Sequence, residues 1–250
     1  MIGRICYLGD DHLAGAAAYL AGVMAYHGLS YDYVPSLESP PADFSSRQYV
    51  LYVVSDYPAA RFEPGQMEHV AARVAQGSGL LMIGGWESFH GRLGEYHRSP
   101  LAEALPVIMA DRDDRRNCAQ ICLVRKLADH PILEDLPWET PPSIGGFNFF
   151  QPKAEATVLL AAASFRVVQR GGQFEFAPQS EAPLLVVGGF GSGRTAALAT
   201  DVAPHWVGGL VDWGDQRVVQ DVRGVLIEVG NHYARLLGNL LKWTAQMETR

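Results

Sequence analysis

The sequence predicts a single α/β domain: a doubly wound, mainly parallel sheet with added β-hairpins in its second half. Three observations predict it. The runs Ile2–Leu8, Tyr49–Ser55 (YVLYVVS) and Leu80–Ile83 are apolar without polar alternation, as expected of strands covered on both faces. Helical patterns separate them in the order β-α-β, loop, β-α-β, the start of a sheet with right-handed crossovers. The 250 residues are 48% apolar and 19% charged, about the upper size for one hydrophobic core, with no linker, repeat or low-complexity tract.

Taken in order, Ile2–Leu8 ends at Gly9-Asp10-Asp11, and the stretch Leu13–Tyr31 that follows has no Asp, Glu, Lys or Arg. Its Ala and Gly content, His27 and nearness to a strand read as a helix, Ala14–His27, buried on the sheet rather than crossing a membrane. Gly28 closes it, and Ser30–Val34 makes a second strand before Pro35, Pro40 and Pro41. Pro64 opens the next helix, whose stripe is Met67, Val70, Ala71 and Val74, and Gly77-Ser78-Gly79 ends it. In the second half, Gln120–Val124, Thr157–Ala162 and Phe165–Gln169 read as short strands. Phe174–Phe176 follows the Gly171-Gly172 turn as a hairpin, and Leu184–Val187 and Thr195–Ala199 flank a second hairpin at Gly188–Gly193. Val218–Met247 reads as a long closing helix, with Val225, Val229, His232, Leu236, Leu240 and Trp243 near helical spacing.

A net charge of −7 argues against a nucleic-acid partner. The densest basic stretch, Arg112, Arg115 and Arg116, is interrupted by Asp111, Asp113 and Asp114 and reads as a solvated loop. Three cysteines and the lack of a secretory leader point to a reducing, cytoplasmic compartment. Cys6 reads as a small hydrophobe in the first strand. Cys118 and Cys122 lack the second Cys or His pair of a zinc site, so they read as structural. Gly188–Gly193 lacks the Gly-Lys-Ser/Thr of a phosphate loop, and His130-Pro131 reads as a turn. No cofactor and no metal are expected.

The informative stretch is Gly79–Gly91 (GLLMIGGWESFHG), a buried strand running into a Gly-rich turn at the carboxyl edge of the sheet. A nucleophile elbow needs small residues two before and two after the attacking one. Trp86, between Gly84 and Ser88, fits that register and has no nucleophile to offer.

Together with SDYPA (Ser55–Ala59), HPILEDLPW (His130–Trp138), GGFNFFQPK (Gly145–Lys153), GFGSGRTAALATDVAPHW (Gly189–Trp206) and LLGNLLKW (Leu236–Trp243), this elbow resembles the class I glutamine amidotransferase-like superfamily. The pattern is similar to a bacterial amidotransferase-like group related to the trehalose-utilisation family. The resemblance implies a flavodoxin-like, class I glutamine amidotransferase-like fold over nearly the whole chain. It also implies an elbow cysteine assisted by His and Glu of a late His-Pro-Glu segment, for thiolate attack on the glutamine amide. Here the elbow cysteine and the His-Pro-Glu order are both absent. Glutamine hydrolysis by that triad is therefore not expected.

The topology sends Asp10, Asp56, Trp86 and Glu87 to one edge, and the resemblance implies that the late strand brings His205 there too, with Ser88, Asp201 and Trp206 as further ligand-binding candidates. Glu87 and His205 are the candidate acid–base pair. Asp10, Asp11 and His12 together are suited to a metal or a polar ligand. Against these stand plainer readings: Asp10, Asp11 and His12 cap the next helix, Asp56 belongs to a loop or cap, His205 packs beside Trp206, and Trp86 plugs the vacant nucleophile position. Three functions remain open. The first is a binding or assembly module for a small polar ligand, sugar-like by the resemblance. The others are a hydrolase or isomerase using Glu87 and His205, and an inactive subunit regulating a partner enzyme. A homo-oligomer is compatible with each.

Overall fold

The computed structural model describes residues 3–247. Its first half alternates strands and helices: β1 (Ile5–Gly9), α1 (Ala17–Tyr26), β2 (Tyr31–Val34), β3 (Leu51–Ser55), α2 (Gln66–Ala75) and β4 (Gly79–Ile83). Every residue of β1, β3 and β4 is buried, as their unbroken apolar runs require. The first strand starts at Ile5, and Ile2 lies outside the described residues. From β1 the chain crosses to β2 on one side, then to β3 on the other, and α2 carries it on from β3 to β4, all in parallel. Right-handed crossovers in opposite directions put α1 and α2 on opposite faces and leave a crevice between the ends of β1 and β3.

The second half contains α3 (Pro100–Ala104), β5 (Val107–Met109), β6 (Arg115–Lys126), β7 (Ser143–Asn148), β8 (Phe150–Pro152), β9 (Thr157–Arg170), β10 (Gln173–Phe190), β11 (Gly193–Leu198), β12 (Arg217–Val222), β13 (Val225–Gly230) and α4 (Asn231–Thr244). The nine-stranded sheet has the order β2-β1-β3-β4-β11-β10-β9-β6-β7. It is parallel as far as β11 and antiparallel beyond it. β5–β8 and β12–β13 are separate two-stranded ribbons.

Three expectations change. The segments read as short strands at Thr157–Ala162 and Phe165–Gln169 are one strand of 14 residues, hairpinned to an 18-residue β10 through Gly171-Gly172. The strand read at Gln120–Val124 runs from Arg115 to Lys126, with extra residues bulged out between Asn117 and Cys122. The closing helix is shorter than expected, because Arg217–Gly230 forms the β12–β13 hairpin before α4 begins at Asn231. Its turn is Arg223-Gly224, both at left-handed φ (53° and 88°), the two-residue geometry that matches strand twist. The ribbon lies on α1, where a Cβ at Gly22 would collide with Ile227. α1 is therefore buried by this ribbon and by α4 as well as by the sheet. Among the described residues, no helix is long and apolar enough to cross a membrane.

Candidate functional site

The carboxyl edge of the sheet holds a cavity of about 180 Å³ lined by Asp10, Asp11, Ala16, Ser36, Asp56, Trp86, Glu87, Asp201 and His205. Six sequence-picked residues thus share one cavity: Asp10, Asp56, Trp86, Glu87, Asp201 and His205. Each stands just past a strand end: Asp10 past β1, Asp56 past β3, Trp86 and Glu87 past β4, Asp201 and His205 past β11. Trp86 is 49% exposed on the rim, so it walls the cavity and does not plug it. Ser88 is fully buried below; its Oγ accepts from the Asp56 amide at 2.9 Å. Trp206 also lies outside the cavity, with its indole Nε1 donating to Asn117 Oδ1 at 2.7 Å.

The backbone is bent on purpose at the switch point. Asp10 and Asp56 both adopt left-handed φ (51° and 46°), a conformation that costs a non-glycine residue about 1 kcal/mol or more. The Asp10 amide donates to the Ser55 and Asp56 carbonyls, which ties the two strand ends together. Neither aspartate caps α1, which starts at Ala17 without a side-chain cap. Gly85 is needed for close approach, since a Cβ there would run into the Asp56 carboxylate. That carboxylate accepts from the Glu87 amide at 2.8 Å. Trp86 itself is not left-handed, and no helix follows it. The strand–turn–helix of a nucleophile elbow is replaced by an irregular loop.

Two residues that sequence reasoning left aside hold this loop. Asn148, fully buried at the end of β7, accepts from the Gly85 amide at 2.9 Å and donates to the Gly85 carbonyl at 3.1 Å and to Asp114 Oδ1 at 2.8 Å. Asp114, 1% exposed, accepts from the amides of His90 and Gly91. The reading of Asp111–Arg116 as a solvated loop therefore fails at Asp114. It fails again at Arg115, whose guanidinium lies 4.5 Å from the Trp86 ring centre. The only signal was Asn148 inside GGFNFFQPK, a motif without an assigned chemistry.

Electrostatics set the site apart. Burial pushes the Asp10 carboxyl well above the usual carboxylate range, and Asp201 and Asp56 push it further. Burial and then Asp201 raise Asp56 to about 8, and burial raises Asp201 to about 6. Glu87 is raised by burial and by Asp11. Only part of this is offset: Tyr7 donates to Asp10 at 2.9 Å, and the amides of Val202 and Ala203 donate to Asp201. Like charges this close share protons and do not all ionise together. Glu87 and His205 line the same cavity with no hydrogen bond between them. Among the described residues, no cluster of three or more His, Cys, Asp or Glu has a metal-holding arrangement.

No thiol reaches the cavity. Cys6 is fully buried in β1, and burial pushes its thiol far up. Cys118 and Cys122, with sulfurs 3.3 Å apart, line a different groove, where burial raises Cys118 to about 12.

Comparison with known proteins agrees with this architecture. Cytoplasmic Protein STM1381 from Salmonella typhimurium LT2 is 25% identical, with a TM-score of 0.73 over 96% of this chain and 99% of its own. Cytoplasmic Protein STM3548 from Salmonella typhimurium is also 25% identical, with a TM-score of 0.72 over 96% and 98%. Agd3, described as a carbohydrate deacetylase, shares the fold at 13% identity and a TM-score of 0.50, over 79% of this chain and 29% of its own. No curated protein matches the chain. The family described as "Putative glutamine amidotransferase" matches residues 42–227, from before β3 to within β13, and the chain belongs to that family.

Proposed function

We propose that this chain is a single-domain, cytoplasmic binding module for a small hydroxyl-rich ligand, and that it does not hydrolyse glutamine. The observation that carries this is the meeting of three buried or nearly buried carboxylates, Asp10, Asp56 and Asp201, around one cavity edged by Trp86. A cavity of about 180 Å³ is below the ~300–1,000 Å³ of drug-sized sites, so a single small ring suits it better than a chain. Carboxylates accept the hydroxyl hydrogens of such a ring, and those bonds replace hydration lost on burial. The indole face of Trp86 offers an apolar surface for the ring's C–H side. A sugar is the preferred candidate through the resemblance to the trehalose-utilisation family, and Agd3 is consistent with it. Three free cysteines accord with a reducing compartment.

A second reading has one observation behind it. Carboxyls raised to about 8 at Asp56 and about 6 at Asp201 put a proton donor beside an acceptor near neutral pH. In a hydrolase or isomerase, that pair would exchange protons beside Glu87 and His205, which line the same cavity.

Calorimetric titration with monosaccharides, trehalose and inositols separates the two readings. Glu87→Gln and His205→Ala are each expected to weaken the same ligand about tenfold or more, with melting temperatures within a few degrees of wild type. Binding without turnover supports the module, and turnover lost in both variants supports the enzyme. Binding untouched by either substitution removes the cavity from consideration.

Glutamine incubated with the protein is expected to release no ammonia, with or without iodoacetamide. Alkylation-sensitive release that disappears on replacing one cysteine would overturn the second half of the proposal.

A further inference from the structure

Beyond Ala163 and Ala182, β9 and β10 leave the sheet and pair only with each other, as Ser164–Arg170 against Gln173–Ser180. β9 runs parallel to β11, since both are antiparallel to β10, so this arm rises from the edge that holds the carboxylate cavity. At about 3.3 Å per residue it extends roughly 23 Å. Residues opposite one another share a face. Phe165 faces Pro178, Val167 faces Phe176 and Gln169 faces Phe174, which makes one face largely apolar. The other face carries Arg166, Arg170 and Glu175, with the last two paired at 3.7 Å. Phe174 and Phe176 are 64% and 69% exposed.

At the base of the arm lies a groove of about 600 Å³, walled by Phe147, Phe149, Phe165 and Val167 and by the bulged segment of β6 at Cys118. A two-stranded ribbon is marginal in water, and the outer end of this one's apolar face, at Phe174 and Phe176, is exposed.

We infer that a second copy of this chain covers the arm, in a two-fold dimer where Phe174 and Phe176 of each protomer enter the groove of the other. The chain carries both halves of the contact, a projecting aromatic pair and an aromatic-walled groove, as a closed isologous interface requires. Charge favours self-association at this place. The chain carries −7, but Ser164–Ala182 holds Arg166 and Arg170 against Glu175 and Glu181, so two arms meet without net repulsion. Four phenyl rings and the groove walls they cover come to roughly 1,000 Å², the lower end of specific interfaces.

Sedimentation equilibrium of the wild-type chain at up to about 100 μM, well above a micromolar Kd, tests this. The expected mass is twice that of the chain, falling to a monomer in the Phe174→Glu/Phe176→Glu variant. Hydrogen exchange on the wild type gives a readout independent of the variant's folding. Protection confined to 164–182 and 116–122 is expected to grow with protein concentration. A monomeric wild type, a mass other than twice the chain, an assembly that survives the double substitution, or concentration-dependent protection elsewhere overturns the inference.

Discussion

Asp56→Asn raises the melting temperature at pH 8 and flattens its dependence on acid, while ligand binding is lost. The folded carboxyl is held at about 8 by burial and then by Asp201, whereas an unfolded aspartate ionises near 3.9. Between those values the folded state binds more protons than the unfolded state. The contribution of this carboxyl to stability is therefore complete at low pH and declines as pH rises toward 8. Asp10 and Asp201 are shifted the same way and add to the slope. An amide keeps the acceptor for the Glu87 amide and carries no charge to desolvate. The gain at pH 8 is on the order of 1–3 kcal/mol, or roughly 3–10 °C for a chain of this size. Scanning calorimetry at pH 5.5 and 8 checks it. An Asn variant that melts below the wild type at pH 8, or whose advantage over it does not grow from pH 5.5 to pH 8, contradicts the assignment. Stability sacrificed at a pocket is the mark of a site kept for binding or chemistry.

Ala17→Asp is expected to abolish soluble, folded protein. Ala17 has no exposed surface, at the point where α1 enters the layer beneath β12–β13 and α4. An acid in the first turn gains at most about 2 kcal/mol from the helix dipole. Burying it unpaired costs several kcal/mol, comparable with the whole margin of about 5–15 kcal/mol. Ala17→Ser serves as the control and is expected to fold. A soluble Asp variant with a cooperative melt would mean that this end of α1 opens to solvent.

The parallel half was legible because β1, β3 and β4 are buried on both faces and so lack polar alternation. The same regularity made the site legible. Residues following parallel strands arrive at one edge, so Asp10, Asp56 and Glu87 could be grouped without contacts, and the family resemblance added Asp201 and His205. The closing segment misled because Val218, Val222, Val225 and Val229 satisfy helical spacing and strand alternation at once. Arg223-Gly224 was the discriminating turn. Asn148 and Asp114 were illegible for another reason. Their partners, Gly85, His90 and Gly91, lie between 23 and 63 residues away, and no local pattern encodes a hydrogen bond at that separation.

The junction between β4 and β11 carries a further consequence, for the birth of the molecule. β4 ends at Ile83 and its parallel neighbour begins only at Gly193, about 110 residues later. At 5–20 residues per second, a ribosome needs roughly 6–22 s to make that interval. Throughout it the nascent chain displays an unpaired, wholly apolar strand edge, open to association with other chains. Asp201 emerges later still, so the carboxylate cavity is completed only after about four-fifths of the chain has been made.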